Sequence, residues 1–174
     1  APESCVLKLG GKTLDSGEFQ GVAKVFENEP DAMTAIQSGS IVPGDVVVVR
    51  NVGPKGGPGM PEMVMLTVEL QGRGLGKEVA LITDGRFSGV SHGVLIGHIC
   101  PEAADGGPLA AVMNGDTIVI DPANRKLDVV IPDSELQQRM RTVEKKELPA
   151  TIARGSVLRK YAGQVSSAHY GCVQ

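Results

Sequence analysis

Apolar positions along the chain fall into short runs broken by glycine and proline, a spacing that favours strands and brief helices over long amphipathic helices. Residues 5–26 alternate loosely and read as two short strands joined by a turn at Gly10-Gly11. Residues 29–38 carry a helical pattern, with Pro30 in a tolerant first turn, Ala32, Ala35 and Ile36 on one face, and Gly39 as the stop. The turn Val42-Pro43-Gly44-Asp45 leads into Val46-Val47-Val48-Val49, a β-branched run suited to a strand buried on both faces. An irregular loop fills residues 51–60, and a helix is expected over 61–71 with Pro61 in its first turn. Val79–Thr83 reads as a strand that runs into a second polar loop, and residues 93–99 fit helix and strand equally. Thr117–Ile120 and Leu127–Ile131 form a hairpin pattern around Asp121-Pro122-Ala123-Asn124. A polar helix is expected to open at Asp133-Ser134-Glu135, capped by Asp133 or Ser134, and to reach about Lys146. A short helix near Val157–Tyr161 and a flexible tail complete the reading.

With 174 residues the chain is sized for one domain, spanning 1–174. Tryptophan is absent and aromatics reach only 3%, so the core must be built from aliphatic side chains. Twenty-three glycines suit a turn-rich, β-rich α/β domain rather than a helix bundle. A net charge of -3 gives no basic footprint for nucleic acid. No apolar run approaches the roughly 20 residues of a membrane helix. The start, Ala1-Pro2-Glu3-Ser4, lacks both an initiator Met and the features of a signal peptide. Cys5, Cys100 and Cys172 are dispersed, which predicts free thiols in a reducing intracellular compartment. It also predicts no cysteine-held metal cluster on this chain alone.

Two Gly-rich loops follow strands, the position where scaffolds present functional groups. The first, Gly53-Pro54-Lys55-Gly56-Gly57-Pro58-Gly59-Met60-Pro61-Glu62, exposes backbone N–H groups to an anion but lacks the Gly-Lys-Ser/Thr ending of a nucleotide loop. Glu62 is either an ordinary first-turn glutamate or a hard oxygen ligand for Mg2+. The second loop gathers Asp84, Arg86, Ser88, Ser91 and His92. A hydrolase elbow would need glycine at position 86, so Ser88 is not read as a triad nucleophile. His98 and Cys100 read as packed core groups before they read as site groups.

The first loop resembles a signature of the dihydroxy-acid dehydratase and phosphogluconate dehydratase family. Leu81-Ile82-Thr83-Asp84-Gly85-Arg86-Phe87-Ser88-Gly89 resembles its second signature, and Gly97-His98-Ile99-Cys100-Pro101-Glu102-Ala103 continues the pattern. Further matches run from Ala1-Pro2-Glu3 to Lys160-Tyr161-Ala162, so the resemblance covers almost the whole chain. Lys55 with its following glycines, and Asp84-Gly85-Arg86-Phe87, look most like the branched-chain amino-acid branch, with a sugar-acid dehydratase or a non-catalytic anion-binding module as alternatives.

The resemblance implies a swivelling β/β/α domain, with a barrel-like sheet and flanking helices, at the carboxy-terminal end of a larger hydro-lyase. That enzyme would dehydrate small 2,3-dihydroxy acids to 2-keto acids, as a homodimer, using Mg2+ and an iron–sulfur cluster. Carried onto this chain, Glu62 matches a Mg2+ ligand, Ser88 matches the base that removes the C2 proton, and Gly89 and Ser91 lie where substrate would be held. Arg86 is expected to orient its loop by pairing with Asp84. The cluster and the remaining Mg2+ ligands belong, by the resemblance, to an amino-terminal domain, so this chain alone is expected to bind no cluster and to be inactive.

Overall fold

The computed structural model describes residues 1–10, 17–144 and 146–174. Seven strands form one sheet: β1 (Ser4–Gly10), β2 (Phe19–Phe26), β3 (Asp45–Val49), β4 (Ala80–Thr83), β5 (Gly93–Cys100), β6 (Thr117–Asp121) and β7 (Lys126–Val129). Their order is β1-β5-β4-β3-β2-β6-β7, and the sheet curls into a half-barrel with flanking helices. The four central strands β5, β4, β3 and β2 are parallel, while β1 and the β6–β7 hairpin join antiparallel at the two sides.

Parallel strands need crossovers, and two of these are helical: α1 (Glu29–Gln37) after β2 and α2 (Val64–Gly72) after β3. Asn28 caps α1 by accepting from the Asp31 N–H at 2.9 Å. Both helices cover one face of the sheet, where Ala32, Ile36, Leu66 and Leu70 pack on Val47, Val49, Leu81 and Leu95. Val46, Val48, Ala80, Ile82 and Ile96 point to the opposite face and meet Leu109, Val112, Ile118 and Ile120. The valine run of β3 thus alternates between two cores, and all four valines are buried, as their composition required.

Several local expectations are corrected. The first two strands are present but not neighbours: β1 pairs with β5, and β2 lies between β3 and β6. The turn expected at Gly10-Gly11 falls on residues that lie, from 11 to 16, outside the described residues. Residues 93–99 are a strand. α2 starts at Val64, because Glu62 is held in extended pairing with Arg86 and Pro61 therefore precedes the helix. The polar helix α3 (Asp133–Thr142) has Pro132 at its N-cap, without a side-chain cap from Asp133 or Ser134, and ends four residues early. Arg139 instead anchors it, pairing with Asp116 at 2.6 Å and with Glu135. The short helix α4 (Val157–Gln164) is capped by Ser156. The tail beyond it is folded: a single helical turn at Ala168–Tyr170 is closed by the Ser166 N–H donating to the Val173 carbonyl at 2.8 Å.

Candidate active-site edge

The loops after β3, β4 and β5 leave the sheet at the carboxyl ends of adjacent parallel strands, the edge where open α/β sheets bind ligands. Residues 51–63, 101–108 and the beginning of the 84–92 connection therefore share one edge, while the connection itself runs back to Gly93 at the amino end of β5.

The first two loops are directly joined. Glu62 forms a parallel bridge with Arg86, the Met63 N–H donates to the Arg86 carbonyl at 3.2 Å, and Arg86 Nε donates to the Met60 carbonyl. Ser88 lies two residues beyond Arg86, so the Glu62 and Ser88 Cα atoms are at most roughly 12 Å apart. Glu62 is partly buried, and its Oε2 is inaccessible to solvent with no hydrogen-bond partner among the described residues. A buried carboxylate oxygen without a donor is costly unless a cation completes it, so this oxygen fits a hard metal ligand. Glu29, at the start of α1, is close enough that the Glu62 charge adds to burial in raising its carboxyl above the ordinary range.

Two fully buried carboxylates hold the first loop. Asp84 accepts from the N–H groups of Asn51 at 3.1 Å, Val52 at 3.0 Å and Ala103 at 3.0 Å. Glu102 accepts from Lys55 N–H at 3.0 and 3.2 Å and from Gly56 N–H at 2.9 Å. Burial raises both carboxyls against the opposing pull of these bonds, Glu102 to about 7. A side chain at residue 53 would collide with Glu102, since a Cβ there would lie 2.6 Å from its Oε2. The Lys55 side chain is drawn outward to Asp105 at 2.6 Å. The N–H groups that looked ready for an external anion at Lys55 and Gly56 thus serve an internal one, which removes the main support for the anion-binding alternative.

Asp84 is therefore not the partner of Arg86. The expected pair is replaced by the three backbone donors on Asp84 and by the Met60 carbonyl on Arg86. In the second loop, Ser88 is partly buried and its Oγ accepts from the Val90 N–H at 3.2 Å. The Ser91 N–H closes a turn onto the Ser88 carbonyl at 3.2 Å. Gly89 is exposed, whereas Ser91 is 2% exposed and its hydroxyl finds no partner among the described residues. His92 is exposed. His98 is partly buried, and burial together with the nearby Arg86 charge lowers its pKa, favouring the neutral ring.

Three groups at this edge escaped the sequence reading. Lys8 on β1 donates through Nζ to the Ser88 carbonyl at 2.7 Å and the Gly89 carbonyl at 2.6 Å. No local pattern links residue 8 to residue 88, because only strand pairing between β1 and β5 brings them together. Glu102 was visible as part of a motif, but its burial depends on the fold. The tail is the third: Cys172 Sγ contacts Met60 Sδ at 3.7 Å, against the first loop. The thiols, dispersed in sequence, gather around Cys100, which is close enough to add to burial in raising both Cys5 and Cys172. Among the described residues no group of three or more His, Cys, Asp or Glu side chains is arranged to hold a metal ion.

An α/β half-barrel with its polar loops at the carboxyl ends of parallel strands defines a class of ligand-handling domain. Within it, the chain belongs to the family described as Dihydroxy-acid/6-phosphogluconate dehydratase C-terminal, whose model matches residues 1–172. It is 50% identical over 173 residues to a protein of Aeropyrum pernix named dihydroxy-acid dehydratase, covering 99% of this chain and 30% of that one. Proteins of the same name from Francisella tularensis subsp. novicida and Methylococcus capsulatus are 50% and 52% identical, with the same coverage. The chain thus spans about 30% of the length of the curated relatives it matches.

Proposed function

We propose that this chain is the carboxy-terminal domain of a dihydroxy-acid dehydratase, a hydro-lyase of branched-chain amino-acid biosynthesis that works in a reducing compartment as a homodimer. The observation that carries the reading is the bridge between Glu62 and Arg86, which sets a buried carboxylate oxygen, without a partner among the described residues, on a segment paired two residues from Ser88. The similarity to proteins named dihydroxy-acid dehydratase supports the substrate class, a 2,3-dihydroxy acid.

In this reading Glu62 contributes one carboxylate to a Mg2+ site, and Mg2+, when bound, would supply the positive charge that holds the substrate carboxylate and 2-hydroxyl. Ser88 Oγ takes the proton from C2. The Val90 N–H, which meets Ser88 Oγ at 3.2 Å, stabilises negative charge there, and the turn through Gly89 and Ser91 orients the substrate. Loss of hydroxide from C3 converts the C2 carbanion equivalent to an enol, which tautomerises to the 2-keto acid. The acid assisting that departure has no candidate here: the described thiols do not form a cluster site, so no step is assigned to an iron–sulfur group on this chain. We assign it to the remainder of the full-length protein, as the matched relatives are much longer.

The test uses the full-length protein with 2,3-dihydroxy-3-methylbutanoate as substrate. Glu62→Gln and Ser88→Ala are each expected to lower kcat by on the order of a hundredfold or more, with Glu62→Gln also weakening Mg2+ binding. Wild-type turnover in Ser88→Ala would overturn the assignment. The isolated chain is expected to show no turnover.

A further inference from the structure

We infer that Lys8 is a positioning residue whose charge is delivered to Ser88 through the peptide between Gly89 and Val90. This deepens the reading of Ser88 as the base and rests on it. A serine hydroxyl at neutral pH is a poor base unless positive charge or strong donors meet its oxygen. The hydrogen bond to Ser88 Oγ given by the loop comes from the Val90 N–H at 3.2 Å. That N–H shares a planar trans peptide with the Gly89 carbonyl, so the two dipole ends point in opposite directions.

At the far end of the same peptide, Lys8 Nζ sits 2.6 Å from the Gly89 oxygen. A charge-assisted bond at a carbonyl polarises the peptide and strengthens its N–H as a donor. The chain ammonium–carbonyl–amide–hydroxyl therefore runs Lys8, Gly89, Val90, Ser88. A second bond, from Lys8 Nζ to the Ser88 carbonyl at 2.7 Å, works with the Ser91 N–H bond to that same oxygen. Together they fix the turn, so the N–H is already aimed when charge develops on Oγ and little reorganisation is needed. Lys8 belongs to an antiparallel strand beside β5, which holds its stem independently of the loop it grips.

The experiment compares Lys8→Gln, Lys8→Met and Lys8→Arg with Ser88→Ala in the full-length protein, measuring kcat and KM with 2,3-dihydroxy-3-methylbutanoate and amide hydrogen exchange over residues 88–91. Lys8→Gln keeps a donor but loses the charge: kcat is expected to fall about tenfold or more with KM within about twofold and exchange little changed. Lys8→Met loses both, so exchange is also expected to quicken. Lys8→Arg is expected to recover most of kcat. Wild-type kcat in Lys8→Gln, beside an inactive Ser88→Ala, would overturn the relay alone. A fully active Ser88→Ala would remove the base reading beneath it. A kcat loss equal in the glutamine and arginine variants would reduce Lys8 to a structural tether and also overturn the relay.

Discussion

The carboxylate of Glu102 accepts from the backbone N–H groups of Lys55 and Gly56 in a fully buried setting. This one side chain therefore couples the first loop to pH. Its folded pKa is about 7, raised from 4.5 by burial. A raised acid makes the folded state bind the proton more tightly than the unfolded chain, so its stability contribution is fully present below about 4.5 and is lost as pH rises through about 7. Asp84, raised in the same direction, adds to that slope. Unfolding free energy is expected to fall between pH 5 and pH 8 by roughly 3 kcal/mol at most from Glu102. Glu102→Gln should flatten the curve over that window, and urea denaturation across pH would check it. An unchanged slope would show that the carboxyl stays ionised throughout.

Asp84→Asn is expected to destabilise the fold rather than tune it. Both carboxylate oxygens of Asp84 are used, one by Val52 N–H and the other by Asn51 and Ala103 N–H groups. The amide replaces one acceptor with a donor that faces a backbone donor in a buried space. A loss of about 1–3 kcal/mol follows from leaving such a group unsatisfied. Chemical denaturation of the two proteins measures it.

Gly53→Ala separates steric fit from backbone freedom. The added Cβ would lie 2.6 Å from Glu102 Oε2 and 2.9 Å from its Cδ, both part of a buried side chain whose oxygens are committed. The loop must shift, moving Glu62, so the full-length enzyme should lose both stability and kcat. Gly72→Ala, at the end of α2 with nothing within 4 Å of its Cβ, is the control and should be neutral or mildly stabilising. Equal effects at the two positions would remove the steric argument.

Much of the fold was legible because its signals are local. The valine run of β3, the 29–38 helix pattern with its stop at Gly39 and the β6–β7 hairpin each carry their own periodicity or turn chemistry. The strand order was not, because a crossover sheet places β1 beside β5 through pairing that no short window records. The site divides the same way. Glu62 and Ser88 were singled out as candidates because their loops resemble family signatures, while Lys8 and the loop-holding role of Glu102 arise from contacts spanning 80 and 46 positions. The Asp84–Arg86 pair failed for a related reason: proximity in sequence suggested an ion pair, but a buried carboxylate satisfies nearby backbone donors first.

Glu29 offers a remote probe of charge at Glu62. Its carboxyl is raised by burial and then by the Glu62 charge. Neutralising Glu62 by Glu62→Gln should therefore lower the Glu29 pKa toward its ordinary value, and binding a divalent cation at Glu62 should act in the same direction. Glu29→Gln, conversely, removes negative potential without removing a ligand. Mg2+ binding to the full-length protein should weaken by a few fold, and more at low salt than at high, since screening cuts charge interactions beyond about 10 Å at 0.1 M. Isothermal titration of Mg2+ at two ionic strengths separates this from the larger weakening expected of Glu62→Gln, which removes a ligand. Equal, salt-independent losses in both variants would instead make Glu29 a direct ligand.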